Sequence, residues 1–331
     1  MLKKTFKYAS IFLLVLITFI YVYLTQFFGK KLDKKEVEKY IYHNEDASLK
    51  IRYFGTMCFY LEYNGQAILT DPFFSNPNPL SLFYHPKVNE KYLQLFSKEE
   101  LNKINTILIG HAHYDHSLEL PLFINKSTPV NVIGNQSLAN LFQHKYPKNN
   151  YILGEDFIND KNYFYNHDST IRIYFIDTKH GPHFGKTVLM NGENQQQKSP
   201  STNLLDWQCG KSMSYIIDFV KNDSIEKRIV VNGGKMNFPS CSKDSIVALQ
   251  HKADILIILG WNKDELQPKF EMTKIFKSSN VILGHWNNFF NSNPNTIQYI
   301  RKSQLPITLE SLNNTYTDFK TTIIFPETIK D

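Results

Sequence analysis

His111-Ala112-His113-Tyr114-Asp115-His116 follows directly on the apolar run of residues 106–110, and this hexapeptide decides how the chain is read. Imidazole and carboxylate are the ligands that borderline divalent cations prefer. On a loop leaving a buried strand, ligands at positions i, i+2, i+4 and i+5 can wrap around two adjacent cation sites. The plain alternative is a polar surface loop. Three histidines and an aspartate in this order argue against it.

One loop cannot complete two such sites, so further ligands must come from elsewhere. His180 lies in Asp177-Thr178-Lys179-His180-Gly181-Pro182-His183-Phe184, just past a predicted strand at 171–177. His285 lies in Gly284-His285-Trp286-Asn287-Asn288-Phe289, just past a predicted strand at 281–284. A lone histidine in such a place is more often structural. Here three strand ends each deliver one, and strand ends are where α/β folds gather functional side chains.

Around these motifs the chain has the makings of a sizeable core, with 331 residues, 42% of them hydrophobic. That composition excludes a disordered tail, a collagen-like fibre and a disulfide scaffold. The formal charge of +6 comes largely from Lys3, Lys4, Lys7, Lys30, Lys31, Lys34 and Lys35, and the rest is close to balanced. Nucleic acid is therefore not an expected partner. Cys58, Cys209 and Cys241 form no CxxC pair and leave the redox compartment open.

Residues 8–28 carry no charge and are long enough at helical rise to span a hydrocarbon core. The run ends Leu24-Thr25-Gln26-Phe27-Phe28-Gly29-Lys30, a poor signal-peptidase site, so an uncleaved single-pass anchor is expected. Lysines flank both ends and leave the side of the membrane undecided. The expected organisation is a membrane anchor over 1–30, a linker over 31–48 and a hydrolase domain over 49–325. Strands are predicted at 49–54, 58–63 and 66–70, with an Asn64-Gly65 hairpin turn between the last two. Ser97 with Glu100 marks a helix start. Residues 186–211 read as a long loop, 213–220 and 228–232 as a hairpin pair, and 242–252, 254–259, 271–278 and 281–284 as helix, strand, helix, strand. The sum is a mixed α/β domain.

The hexapeptide resembles the H-x-H-x-D-H signature of the metallo-β-lactamase superfamily. Within it the chain is similar to the branch of N-acylphosphatidylethanolamine-hydrolysing phospholipase D and the ascorbate-6-phosphate lactonases. Ile68-Leu69-Thr70-Asp71-Pro72, Tyr114, and His285-Trp286 followed by Phe289 carry the branch likeness. The resemblance implies an αββα four-layer sandwich with metals at one rim. His111, His113 and His180 would bind one ion, and Asp115, His116 and His285 the other, with Asp115 also orienting the nucleophile. The implied ions are Zn2+, two of them, with Mn2+ or Fe2+ as alternatives.

The family's bridging aspartate has no counterpart here. In Ile229-Val230-Val231-Asn232-Gly233-Gly234-Lys235 its place falls on Gly234. One ion could then replace two, or Asp218 on the preceding strand could substitute; an ordinary strand-end charge is the plainer reading of Asp218. Glu119 stands near the family's second carboxylate after the motif and could orient a ligand histidine. His183 could touch a substrate anion.

The first functional expectation is a membrane-tethered, metal-dependent hydrolase that turns activated water on an ester-type bond, a phosphodiester before a lactone. The expected partners are the lipid bilayer and a small-molecule or lipid substrate, with the oligomeric state open. The reading from another class is a non-catalytic binding protein on the same fold.

Overall fold

The computed structural model describes residues 8, 10–18, 29–77, 88–159, 163–183, 186–236, 251–260, 273–290 and 295–329. The expected helix over 242–252 falls mostly outside the described residues, as do Cys241 and Phe184. The chain enters through β1 (Gly29–Lys31) and the short helix α1 (Lys34–Val37), within the charged stretch that follows the apolar run.

Six strands then form one sheet: β2 (Leu49–Gly55), β3 (Cys58–Tyr63), β4 (Gln66–Thr70), β5 (Ile104–Leu108), β6 (Asn131–Gly134) and β7 (Asn150–Leu153). The β2–β3–β4 meander is antiparallel, and its Tyr63↔Gln66 register closes the Asn64-Gly65 turn. Both turn residues have positive φ, 49° and 79°, as that turn type requires. From β4 onward the pairing is parallel, so each connection crosses over. Helix α2 (Lys98–Lys103) is one such crossover and begins with the capping box read from Ser97 and Glu100.

The second sheet contains β8 (Phe164–Tyr165), β9 (Ile171–Lys179), β10 (Ser212–Lys221), β11 (Ser224–Asn232), β12 (Lys235–Met236), β13 (Ile255–Leu259), β14 (Asn280–Gly284) and, after β15 (Gln298–Ile300), β16 (Lys320–Ile323). The β10–β11 hairpin is antiparallel, whereas β11, β13, β14 and β16 run parallel. Ile255–Leu259 is buried at every position, the mark of a parallel strand covered on both faces.

One hydrophobic core lies between the sheets, with Tyr53, Phe59 and Ile68 of the first meeting Ile173, Phe175 and Ile217 of the second. A second core packs the other face of the first sheet, through Tyr60, Leu69 and Ile107, onto Phe123, Leu138 and Phe142. Helix α3 (Leu305–Thr315) buries Leu305, Leu309 and Leu312 beside β16. The architecture is thus mixed α/β, with sheet on sheet and helices outside.

The expected membrane anchor is corrected. Among the described residues no helix is long and apolar enough to cross a membrane. The described helical stretch is 10–18, which at about 1.5 Å per residue rises roughly 14 Å, about half of a ~30 Å hydrocarbon core. Residues 19–28 lie outside the described residues. The single-pass membrane localisation drawn from that run is withdrawn with it.

Candidate metal centre

The hexapeptide is held by backbone contacts on both sides. Gly110 accepts the Met213 N–H at 2.8 Å, and Ala112 donates to the Cys209 carbonyl at 2.9 Å. Ser117 closes the turn by donating its hydroxyl to the His113 carbonyl at 3.1 Å. The short helix Tyr114–Ser117 sets Asp115 and His116 side by side. His285 arrives from β14 with φ at 53°, and its N–H bonds the Thr56 carbonyl. Asn287 pins the same turn by accepting the Tyr53 hydroxyl at 2.6 Å and the Thr56 N–H at 2.8 Å.

These loops bring the predicted ligands together. His111 Nε2 lies 3.1 Å from His113 Nδ1, and the His180 ring centre is 4.6 Å from that of His111 and 4.9 Å from that of His113. Asp115 Oδ2 is 3.4 Å from His285 Nε2 and 3.8 Å from His116 Nε2. His111 and His116 adjoin, with ring centres 3.9 Å apart, so the two groups share one cleft.

Neighbouring groups set the tautomers. A carbonyl oxygen only accepts, so His113 carries its proton on Nε2, 3.3 Å from the Met190 oxygen, and turns the Nδ1 lone pair toward His111. His180 meets the Gly181 oxygen through Nδ1 at 2.5 Å, which leaves the Nε2 lone pair for a ligand. His183 is the reverse case: its Nδ1 accepts the Leu189 N–H at 3.0 Å, so its neutral ring has Nε2–H, a donor edge. Its nitrogen lies close to those of His113 and His180, but this tautomer suits a hydrogen-bond donor better than a ligand.

Burial keeps the imidazoles neutral and their lone pairs available. It pushes His113 down to about 4 and His180 down to about 3, and it lowers His111 and His285 as well. Burial alone would raise the Asp115 carboxyl. His116 and His285 beside it override that and hold it below the usual carboxylate range. His116 is the exception among the imidazoles, since Asp71 and Asp115 outweigh its burial and raise it. Buried neutral imidazoles whose nitrogens converge, beside one ionised carboxylate, are a donor set that fits a divalent cation.

Asp71 was quoted in the sequence only as part of a turn. It is buried with φ at 37°, its Oδ1 accepts the Gly110 N–H at 2.7 Å, and its Oδ2 lies 3.2 Å from His116 Nδ1. That contact turns His116 Nε2 toward Asp115. Cys209 is a second addition, since its sulfur groups with the His111 and His113 nitrogens within 4.8 Å. Burial pushes its thiol up to about 11. Asp71 belongs to a motif that carries the family likeness, but nothing in the sequence pointed it at His116, and Cys209 lies in the long loop with no signal of its own.

Two expected positions are not brought to the cleft. Asp218 is completely buried in β10, where Arg228 Nε and Nη2 donate to its oxygens at 2.6 and 2.8 Å and Arg172 Nη2 donates at 2.9 Å. The cleft lies at the opposite end of that strand, at Ser212 and Met213, roughly 17–20 Å away at strand rise. Asp218 therefore cannot act as the substitute bridging ligand. Glu119 is also fully buried, but it accepts the Phe74 N–H at 2.8 Å, and among the described residues no hydrogen bond joins it to a histidine.

The two adjacent glycines at the expected place of the missing aspartate are not equivalent. A β-carbon at Gly234 would lie 2.9 Å from the Lys179 carbonyl oxygen, whereas one at Gly233 would meet no atom within 4 Å. Gly233, not Gly234, lines the cleft. The cleft encloses about 230 Å³, and its walls beyond the ligands are Leu189, Met190, Leu205, Leu259, Phe289 and Phe290.

Residues 50–188 match the family model described as a beta-lactamase superfamily domain. Solved structures similar to this chain include Igni18, a metallo hydrolase from the archaeon Ignicoccus hospitalis KIN4/I. It is 16% identical over 85% of this chain and 96% of its own, with a TM-score of 0.48. The isothiocyanate hydrolase from Delia radicum gut bacteria is 16% identical over 82% of this chain and 95% of its own, with a TM-score of 0.49. The metallo-beta-lactamase fold protein YhfI from Bacillus subtilis is 12% identical over 85% and 96%, with a TM-score of 0.49. No curated protein matches the chain.

Proposed function

We propose that the chain is a metal-dependent hydrolase of ester-type bonds, with residues 49–325 as its catalytic domain. The convergence of Asp115 Oδ2, His116 Nε2 and His285 Nε2 beside the His111–His113–His180 group carries the reading. Zn2+ is the first candidate on ligand type, with Mn2+ or Fe2+ as alternatives. A divalent cation bound there would supply Lewis acidity and a water acidic enough to attack near neutral pH. Asp115, ionised and accept-only, would hold the proton of an attacking water. His183 Nε2–H donates to an oxygen of the substrate. Leu189, Leu205, Phe289 and Phe290 take an apolar substituent and keep bulk water out.

Among the bonds available, a phosphodiester of the kind cleaved by the phospholipase D branch comes first. The only carboxylates placed at the cleft among the described residues are Asp115 and Asp71, so cations there would remain undercompensated and would favour an anionic substrate. A lactone or carboxylic ester is the second reading. It is favoured by walls in which no described Lys or Arg takes part.

The test compares the metal-loaded chain with His113→Ala on bis-p-nitrophenyl phosphate, a p-nitrophenyl alkanoate and a simple lactone. We expect the diester to turn over and the variant to lose at least 100-fold. Equal inertness of both proteins on every substrate with zinc, manganese and iron would leave the binding-protein reading.

A further inference from the structure

Gly233 stands where the cleft meets a small cavity of about 10 Å³, which is also lined by Asp71, His111 and His116. That volume suits one water-sized oxygen. A β-carbon at Gly233 would meet no atom within 4 Å, and its φ lies outside the left-handed region. The position could therefore bear a side chain without strain or clash, yet it presents bare backbone to the cluster.

The charges near it do not balance. The histidines bring lone pairs but no negative charge, and Asp71 stands behind His116, bonded to the Gly110 N–H. Asp218 is locked between Arg172 and Arg228 on the far part of the sheet. Asp115 alone among the described carboxylates faces both groups of nitrogens. Two divalent cations in this cleft would face only the carboxylates of Asp115 and Asp71 among the described residues, so about two positive charges would stay uncompensated, and like charges held close together repel strongly in a medium of low dielectric.

We infer that an anionic oxygen carried by the ligand completes the cluster beside Gly233, so that the second cation and the substrate anion bind as a linked pair. This rests on the metal-dependent reading above and names what the substrate must bring: a phosphodiester or carboxylate oxygen in place of a side-chain carboxylate. Linkage then requires reciprocity. The anion tightens the second cation by the same factor by which that cation tightens the anion. The chain holds one ion firmly at rest and fills the second site only with its substrate.

The experiment titrates Mn2+ into the metal-free full-length chain in chloride, in dimethyl phosphate and in acetate. Native mass spectrometry reads the stoichiometry, and the electron paramagnetic resonance of a coupled manganese pair reads occupancy of both sites. We expect one ion in chloride and a second that binds at least tenfold more tightly with dimethyl phosphate. In Gly233→Asp the second ion should bind in chloride alone, and the anion effect should fall below twofold. Gly233→Ala, which adds a β-carbon but no charge, should keep the wild-type anion effect. Tightening by acetate rather than dimethyl phosphate also supports the linked pair and assigns the anion as a carboxylate.

Two equally tight ions in chloride, or an anion effect unchanged in Gly233→Asp, would overturn the inference while leaving the hydrolase reading in place. No ion under any condition would remove the hydrolase reading itself. Should Gly233→Asp fail to fold, the reciprocal measurement on the wild-type chain decides: dimethyl phosphate affinity that does not depend on Mn2+ overturns the inference.

Discussion

Asp115 Oδ2 stands 3.4 Å from His285 Nε2, although Asp115 follows the first sheet and His285 the second. This pair is where the two halves of the fold close on the candidate metal centre. Asp115→Asn keeps the shape and removes the only carboxylate among the described residues that faces both groups of nitrogens. It should weaken metal binding at least tenfold with little change in melting temperature of the metal-free protein. Elemental analysis after dialysis against a graded chelator checks this, and unchanged metal content would refute it.

Asp71 touches no predicted substrate position, yet it sets the orientation of His116 from 3.2 Å. Carboxylates behind a ligand histidine typically control affinity by 10–100-fold. Asp71→Asn should fall in that range for metal affinity. The effect should vanish in a His116→Ala background, where there is no ring left to orient, and that double-mutant comparison separates positioning from general damage.

Asp218→Asn should leave metal content untouched and cost about 3–5 kcal/mol of stability, because it removes the charged partner of a buried Arg228–Asp218 ion pair. Chemical denaturation gives the stability, and metal analysis on the same samples gives the stoichiometry. Loss of an ion would contradict the placement of Asp218 away from the cleft.

Acid should destabilise the metal-free protein. His113 titrates near 4 when folded because burial disfavours its charged form, against about 6.5 when unfolded. Between those values the unfolded chain binds the extra proton, so stability is full above pH 6.5 and is lost as the pH falls toward 4. At pH 5 the loss from His113 alone is roughly 2 kcal/mol. His113→Asn should show a correspondingly smaller drop between pH 7.5 and 5 in urea melts.

Glu119 has the opposite sign. Burial raises its carboxyl to about 7, so the folded chain keeps a proton that the unfolded chain gives up, and stability falls as pH rises from 4.5 to 7. Glu119→Gln can still accept the Phe74 N–H and has no charge to bury. It should be nearly neutral at pH 5 and stabilising at pH 8 by up to roughly 3 kcal/mol. A destabilised variant at pH 8 would show that the ionised carboxylate has a partner in the folded chain.

Local patterns were legible wherever they suffice to define structure. The strands at 49–54, 58–63 and 66–70, the Asn64-Gly65 turn, the Ser97 capping box and the strand within 254–259 all depend on neighbours in sequence, and all formed as read. The spacing of His111, His113, Asp115 and His116, with His180 and His285 each following an apolar strand, was enough to name six side chains that the fold gathers in one cleft. The apolar run at the N-terminus shows the limit of composition alone: an uncharged stretch is necessary for a span, but the described helix within it is too short. Partner choice required the tertiary structure. Asp71 and Asp218 are each a single carboxylate beside a strand in sequence; only the packing puts one behind His116 and the other between two arginines on the far part of β10. The same holds for Gly233 and Gly234, adjacent and identical in type, of which one faces the cleft and the other the Lys179 carbonyl. Sequence determines which donors the chain carries, and the register between sheets decides which of them meet, because that register is set by core contacts summed over the whole molecule.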